Sequence, residues 1–283
     1  MEQALPENDI SLREVTIPDG MPENGVQAYL ARIGFTGKPT VDLATLSALQ
    51  KAHIYHVPYE NLDILRGAGV SVDLRDVFDK VVTRRRGGYC FEMNGLFAWL
   101  LRSIGFDVTE YYGRYLLDEP VKAPMRRHRI LCVRLDGNEY ICDVGVGVLA
   151  PVYPLLLTEN AVQTQDGERF RIVRHPVLGY VVEGVYRGKW DRLYSFTPDP
   201  QYQIDFEMPN HWCVTHPDSP FRKYTMVFMR TPEGRNTAAD VTDENGAPAV
   251  EFRRFTADGV TAVRPKDDAA FRAALLELFG IRL

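Results

Sequence analysis

The strongest constraint on what this chain can fold into is a change of hydrophobic period about one third of the way along it. Before Phe106 the apolar residues recur at helical spacing. Val26, Tyr29, Leu30 and Ile33 form one stripe behind Asn24, a capping residue, and Leu43, Leu46 and Leu49 form another after Pro39. A further helix opens at the cap Asp73 and runs into Arg84, Arg85 and Arg86 before meeting Gly87. Cations in a last turn and a glycine just beyond it are the ordinary stop signals. The next helical run opens at Cys90 and carries Leu96, Phe97, Leu100, Leu101 and Ile104.

After that helix the pattern becomes short runs rich in β-branched and aromatic residues, broken by turn residues. These runs fall at 108–117, 128–135, 139–146, 169–175, 179–188 and 190–197. They predict an antiparallel sheet or barrel. Two more strands, at 225–231 and 249–256, precede a closing helix that ends at Gly280. Helices, then strands, then strands with a terminal helix make an α+β protein with more than one lobe.

Composition excludes several classes. With 283 residues, 45% of them hydrophobic, the chain can bury a large core without disulfides or metal. A net charge of -5, from 33 Lys+Arg against 38 Asp+Glu, argues against a dedicated nucleic-acid binder. No run of about 18 apolar residues is present to span a bilayer, so no membrane association is expected. Cys90, Cys132, Cys142 and Cys213 are scattered, as a reducing compartment permits, and the acidic N-terminus shows no signal peptide. The expected location is the cytoplasm.

The segment with most chemical content is Arg86-Gly87-Gly88-Tyr89-Cys90-Phe91-Glu92. A thiol at a helix start faces unpaired backbone N–H groups and the positive end of the helix dipole, which favour the attacking thiolate. The two glycines allow close backbone approach. A buried cysteine packed at a helix start fits this segment equally well. Downstream, Asp136-Gly137 between alternating strands signals a two-residue type I′ hairpin. That turn sets Leu135 opposite Asn138, Arg134 opposite Glu139 and Ile130 opposite Asp143. His128 then shares a face with Asp143, one diagonal step away, within reach of an imidazole and a carboxylate. Ile130, Cys132 and Ile141 share that face and would partly desolvate the pair. Alone, His128 reads as a structural histidine and Asp143 as a turn residue; together with Cys90 they form a nucleophile, base and orienter.

Other clusters carry less. His211, Cys213 and His216 crowd together, but a closed zinc site needs a fourth ligand, so no metal is expected and the segment reads as a loop between Pro209 and Pro217. His53 and His56 read as capping or solvated residues. Gly145-Val146-Gly147 permits close backbone approach beside Asp143. Arg84, Arg85 and Arg86, with Arg126, Arg127 and Arg129, are either solvated charges or an attractor for an anionic acyl carrier.

The Arg86–Glu92 segment resembles the active-site signature of the arylamine N-acetyltransferases. The likeness extends to Val57-Pro58-Tyr59-Glu60-Asn61-Leu62, to His128 and Asp143-Val144-Gly145, to Thr215 through Phe221 and to Leu278 through Ile281. It implies a helical first domain, an antiparallel β-barrel and a C-terminal α/β lid, with a Cys-His-Asp arrangement like that of cysteine proteases and transglutaminases. The corresponding division is an N-terminal extension over 1–22, a helical domain over 23–106, a barrel over 107–210 and a lid over 211–283. The resemblance implies ping-pong acetyl transfer from acetyl-coenzyme A to an arylamine, arylhydroxylamine or hydrazine, with Cys90, His128 and Asp143 catalytic and Gly145, Thr215 and Ser219 toward the coenzyme. The runner-up function is a macrolactam-forming amide synthase fed by a carrier protein; a hydrolase is third. Two positions depart from the family's usual residues: Val146 stands where an aromatic is common, and Arg127 where threonine is.

Overall fold

The computed structural model describes residues 20–118, 124–147, 151–243 and 245–283. The expected N-terminal extension lies outside the described residues as far as residue 19. The first segment holds α1 (Gly25–Arg32), α2 (Leu43–His56), the two-residue strand β1 (Tyr59–Glu60), α3 (Leu62–Leu65), α4 (Leu74–Phe78) with a π-helical turn after it, and α5 (Cys90–Ile104). Of the two caps expected, Asp73 accepts from Arg75 N, whereas the Asn24 side chain makes no cap bond; Asp42, not foreseen, caps α2 by accepting from Thr45 N. Helix α5 is enclosed on every side from Cys90 to Leu101 and is largely apolar there. Leu96, Phe97 and Leu100 pack with Tyr29, Leu46 and Val81 of the helices and with Leu131 and Val133 of the strands behind.

The second segment is β2 (Asp107–Tyr115), β3 (His128–Leu135), β4 (Asn138–Cys142), β5 (Leu155–Leu156), β6 (Gln163–Gln165), β7 (Glu168–His175), β8 (Gly179–Tyr186) and β9 (Lys189–Gln201). These strands form one antiparallel, barrel-like sheet in the order β5-β4-β3-β2-β9-β8-β7-β6. Ile130, Cys132, Ile141, Phe170, Ile172 and Phe196 fill its interior. The outermost strands are linked by a side chain: the Gln163 amide accepts from Leu156 N and donates to Leu156 O, each at 2.9 Å. One glutamine thus takes the place of a backbone ladder rung.

The last segment holds α6 (Glu207–Thr215), α7 (Pro220–Lys223), β10 (Met226–Thr231), β11 (Gly234–Thr242), β12 (Pro248–Thr256), β13 (Gly259–Val263) and α8 (Asp268–Phe279). The sheet runs β1-β10-β11-β12-β13, and α8 covers it through Leu275, Leu278 and Phe279 against Val227, Ala238 and Phe252. Its first strand belongs to the helical segment, so the lid is stitched to the start of the chain. Asn61 reinforces the seam: its amide donates to Phe221 O and Tyr224 O at 2.8 Å and accepts from Met226 N at 2.9 Å.

Three sequence expectations are corrected. Residues 211–216 are largely helix, because Phe206 and Cys213 anchor α6 in a cluster with Tyr89 and Phe91. Pro209 is tolerated there since it sits in the first turn, whose N–H groups have no intrahelical acceptor. The division drawn between 210 and 211 therefore falls inside α6. His53 is neither cap nor solvated: it is fully buried, its Nδ1 2.7 Å from the Tyr29 hydroxyl. Burial, and then the nearby Arg32 and His56, hold its pKa down at about 3. Strand β11 escapes the sequence reading because Asn236, Ala238, Ala239 and Asp240 are poor strand formers; pairing on both sides decides its state, and β13 follows as the edge strand on β12.

Gln163→Leu is expected to cost about 1–2 kcal/mol by leaving Leu156 N unpaired at the sheet edge, while Leu156 O keeps its bond from Thr158 N. Urea unfolding checks this, with Gln163→Glu, which loses only the donor, falling between.

Candidate active site

Cys90 is the first residue of α5 and is buried. It is set by a backbone crossing: Glu60 N donates to Gly88 O at 2.9 Å and Gly88 N to Pro58 O at 3.3 Å. The crossing leaves no room for a side chain, since a Cβ on Gly87 would lie 1.9 Å from Pro58 O. Beneath it lies a buried network of ions. Arg86 holds Glu60 at 2.7 Å and Asp63 at 2.9 Å; Lys80 holds Asp63 at 2.9 Å and Glu92 at 2.8 Å. The second oxygen of Glu92 accepts from Tyr89 N at 3.0 Å, fixing the residue before the thiol. Burial pushes the Glu92 carboxyl above its usual range, and Lys80 only partly opposes this.

His128 and Asp143 arrive on the β3–β4 hairpin. Asp136 and Gly137 have φ of 50° and 75°, as a type I′ turn requires, and Arg134 opposes Glu139. Ladder pairing ends at Leu131 and Cys142, so Asp143 stands just past the last rung. His128 Nε2 lies 2.6 Å from Asp143 Oδ2. With that nitrogen committed, Nδ1 is the one left to face the neighbouring Cys90 thiol, which donates to Arg127 O at 3.6 Å. The other carboxylate oxygen of Asp143 accepts from Asn94 Nδ2 at 2.9 Å and Gly145 N at 2.8 Å. Asn94 also donates to Arg129 O at 2.6 Å and accepts from Val144 N at 2.9 Å. One side chain on α5 therefore ties the helix of the thiol to both strands of the hairpin. Burial pulls the His128 pKa down, but Asp143, and then Cys90, outweigh it and raise it to about 10.

The sequence motif alone does not single out Asn94. Its signal was spacing: four residues beyond Cys90 on a helix, it lies on the same face. Gly145 is required by contact, because a Cβ there would sit 2.7 Å from Cys90 Cα.

Cys90 and His128 open onto a cavity of about 770 Å³ whose walls include Tyr59, Arg127, Gly145, Val146 and Phe228. A neighbouring cavity of about 1350 Å³ is bounded by Val70, Tyr112, Asn210 and Thr215, and Met125 and Trp212 belong to both. Gly145 is thus at the nucleophile and Thr215 in the adjoining space. Ser219 reaches neither: it is fully buried and its hydroxyl donates to Cys213 O at 2.5 Å. Two of the arginines are withdrawn from the surface: Arg86 is spent on Glu60 and Asp63, and Arg129 is fully buried on Glu110. Arg84 and Arg126 pair at the surface with Asp79 and Asp199, and Arg85 is exposed. The Arg127 guanidinium packs 5.7 Å above the Phe221 ring. Among the described residues no group of three or more His, Cys, Asp and Glu is arranged to hold a metal, and no helix is long and apolar enough to cross a membrane.

A histidine pKa raised from 6.5 to about 10 contributes stability that is complete below about pH 6.5 and lost as pH rises through 10. Thermal melts between pH 6 and 10 are therefore expected to fall for the native chain. In His128→Gln the contribution is absent, so the gap between the two proteins closes toward high pH.

The chain matches the N-acetyltransferase family over residues 42–283. It is 34% identical over 256 residues to the arylamine N-acetyltransferase of Escherichia coli (strain K12), spanning 89% of this chain and 87% of that one. To the arylamine N-acetyltransferase of Mycolicibacterium smegmatis it is 37% identical over 212 residues, 73% of this chain and 77% of that one. Its structure is similar to that of the arylamine N-acetyltransferase from Salmonella typhimurium, with a TM-score of 0.82, 29% identity and 92% of each chain covered. It is also similar to that of the Mycobacterium marinum arylamine N-acetyltransferase in complex with CoA, with a TM-score of 0.79, 30% identity and 90% and 92% covered.

Proposed function

The chain belongs to the arylamine N-acetyltransferase family, whose reaction is acetyl transfer to arylamines, and from that premise we propose that Cys90, His128 and Asp143 carry the reaction as a triad through an acyl-cysteine. The observation that carries this reading is the buried chain of contacts from Asp143 through His128 to Cys90, opening on a cavity. His128 takes the thiol proton and the Cys90 sulfur attacks the thioester carbonyl of acetyl-coenzyme A. The tetrahedral intermediate collapses to acetyl-Cys90, and the proton leaves with the coenzyme thiol. An arylamine, arylhydroxylamine or hydrazine then attacks the acetyl carbon; His128 takes a proton from its nitrogen and returns it to the Cys90 sulfur. The oxyanion lies next to the first turn of α5, whose N–H groups have no intrahelical acceptor.

The two substrates divide the space. Coenzyme A takes the larger cavity beside Thr215, with its thioester passing Met125 and Trp212 to reach Cys90. The acceptor takes the side walled by Tyr59, Val146 and Phe228. Gly145 supports the thiol side by close backbone approach, and Ser219 acts through its bond to Cys213 rather than by touching the coenzyme.

Cys90→Ala is expected to abolish release of coenzyme A from acetyl-coenzyme A with an arylamine present, while circular dichroism stays that of the native chain; retained turnover would overturn the mechanism. Asp143→Asn, which removes the counter-charge and favours the wrong tautomer, should lower turnover by roughly three to four orders of magnitude. Absence of release with every arylamine and hydrazine tried would favour the carrier-fed amide synthase.

A further inference from the structure

The wall of the nucleophile cavity at Phe228 comes from β10, a strand of the lid. Side chains along β10 alternate: Val227 and Met229 join the core under α8, so Phe228 and Arg230 point to the opposite face. Phe228 lines the cavity, its ring 5.9 Å from that of Tyr59 and close enough to Gly147 that a Cβ there would meet it at 3.2 Å. Two residues on, Arg230 crosses to the barrel and grips Glu168, the first residue of β7. Nη2 donates to Oε2 at 2.8 Å and to Oε1 at 3.1 Å, and Nη1 donates to Oε1 at 3.2 Å.

Two surroundings make this pair more than a surface contact. The Arg230 side chain is only 13% exposed, and its Nε is buried with no acceptor among the described residues, so the guanidinium is sunk in the seam between the sheets. Directly opposite on β11 stands Arg235, a like charge that destabilises the facing pair. Glu168 supplies the compensating charge, and it does so from the other sheet. Cys90, His128, Asp143 and Asn94 stand on α5, β3 and the segment after β4, and β10 meets the start of α5 through its two-residue pairing with β1.

We propose that Arg230 and Glu168 are a positioning pair that fixes β10, and with it Phe228, over the nucleophile cavity, and so sets how tightly the acceptor amine is held without affecting acylation of Cys90. The proposal rests on the assignment of the acceptor to the Phe228 side. Removing one member of a part-buried pair is worse than removing both, because the remaining charge is left uncompensated.

The test separates the half-reactions. Mixing with acetyl-coenzyme A without amine gives a burst of coenzyme A release that reads Cys90 acylation; steady-state turnover with aniline reads the acceptor KM. Glu168→Ala is expected to raise the aniline KM about tenfold while kcat and the burst rate stay within about twofold of native. The double variant Glu168→Met with Arg230→Met should lose less, and the reversed pair Glu168→Arg with Arg230→Glu should recover most of the affinity. An unchanged KM in Glu168→Ala, or a burst rate that falls in step with kcat/KM, overturns the proposal. A native chain that gives no burst overturns the acyl-cysteine reading instead, a failure distinct from that of the pair.

Discussion

Everything in this fold that bears on chemistry depends on holding the first turn of one buried helix against a hairpin that follows it at a distance in sequence. Cys90 and Arg127, whose carbonyl the thiol meets, are 37 residues apart. Neither side can be placed alone. The helix start is fixed from below by β1 and the ions around Lys80 and Arg86; the hairpin is fixed by its turn and by Asn94. Gly87 and Gly145 remove the two Cβ atoms that would keep these pieces apart. The result is a buried thiol, imidazole and carboxylate side by side, the preorganisation that the proposed acyl transfer needs.

The foundation is costly. Glu60, Lys80, Arg86 and Glu92 are all nearly inaccessible to water, and taking such groups from water costs several kcal/mol each unless attraction and hydrogen bonding repay it. An apolar cluster of the same volume would hold the helix more cheaply but less specifically. What the ions supply is direction: Glu92 fixes Tyr89 N and Lys80 fixes Glu92, so the residue before the thiol is held by bonds of stated geometry. The same device recurs behind the hairpin, where Gly95 makes room for the Arg129 guanidinium, which bonds Glu110 and stacks 4.1 Å above Phe206.

What the sequence made legible follows from which interactions are local. The period change, the helix cap at Asp73 and the Asp136-Gly137 turn are decided within a few residues, so they can be read directly. The turn then fixed the register, and the register placed His128 beside Asp143, a non-local contact reached by counting. Asn94, the helical state of α6 and the fate of the arginines could not be reached that way. Asn94 has meaning only once α5 lies on the hairpin. Helix α6 exists because Tyr89 and Phe91 receive Phe206 and Cys213. Arg86 and Arg129 look like solvated charges until the acids facing them, Glu60, Asp63 and Glu110, come into place.

The division of labour has a consequence for substrate choice. The reacting atoms are held by elements from the first half of the chain, while the wall that faces them across the cavity is lid strand β10, paired with Tyr59 and Glu60 of β1. The small side chain at Val146 shifts the shaping of that space from the loop after Asp143 to Tyr59 and Phe228. A change of acceptor range can then come from any residue that moves β10 relative to the barrel, without a substitution among the groups that react. Chemistry and selectivity are therefore separable in this fold: the first is locked by buried ions and glycine contacts, the second by the seam between two sheets.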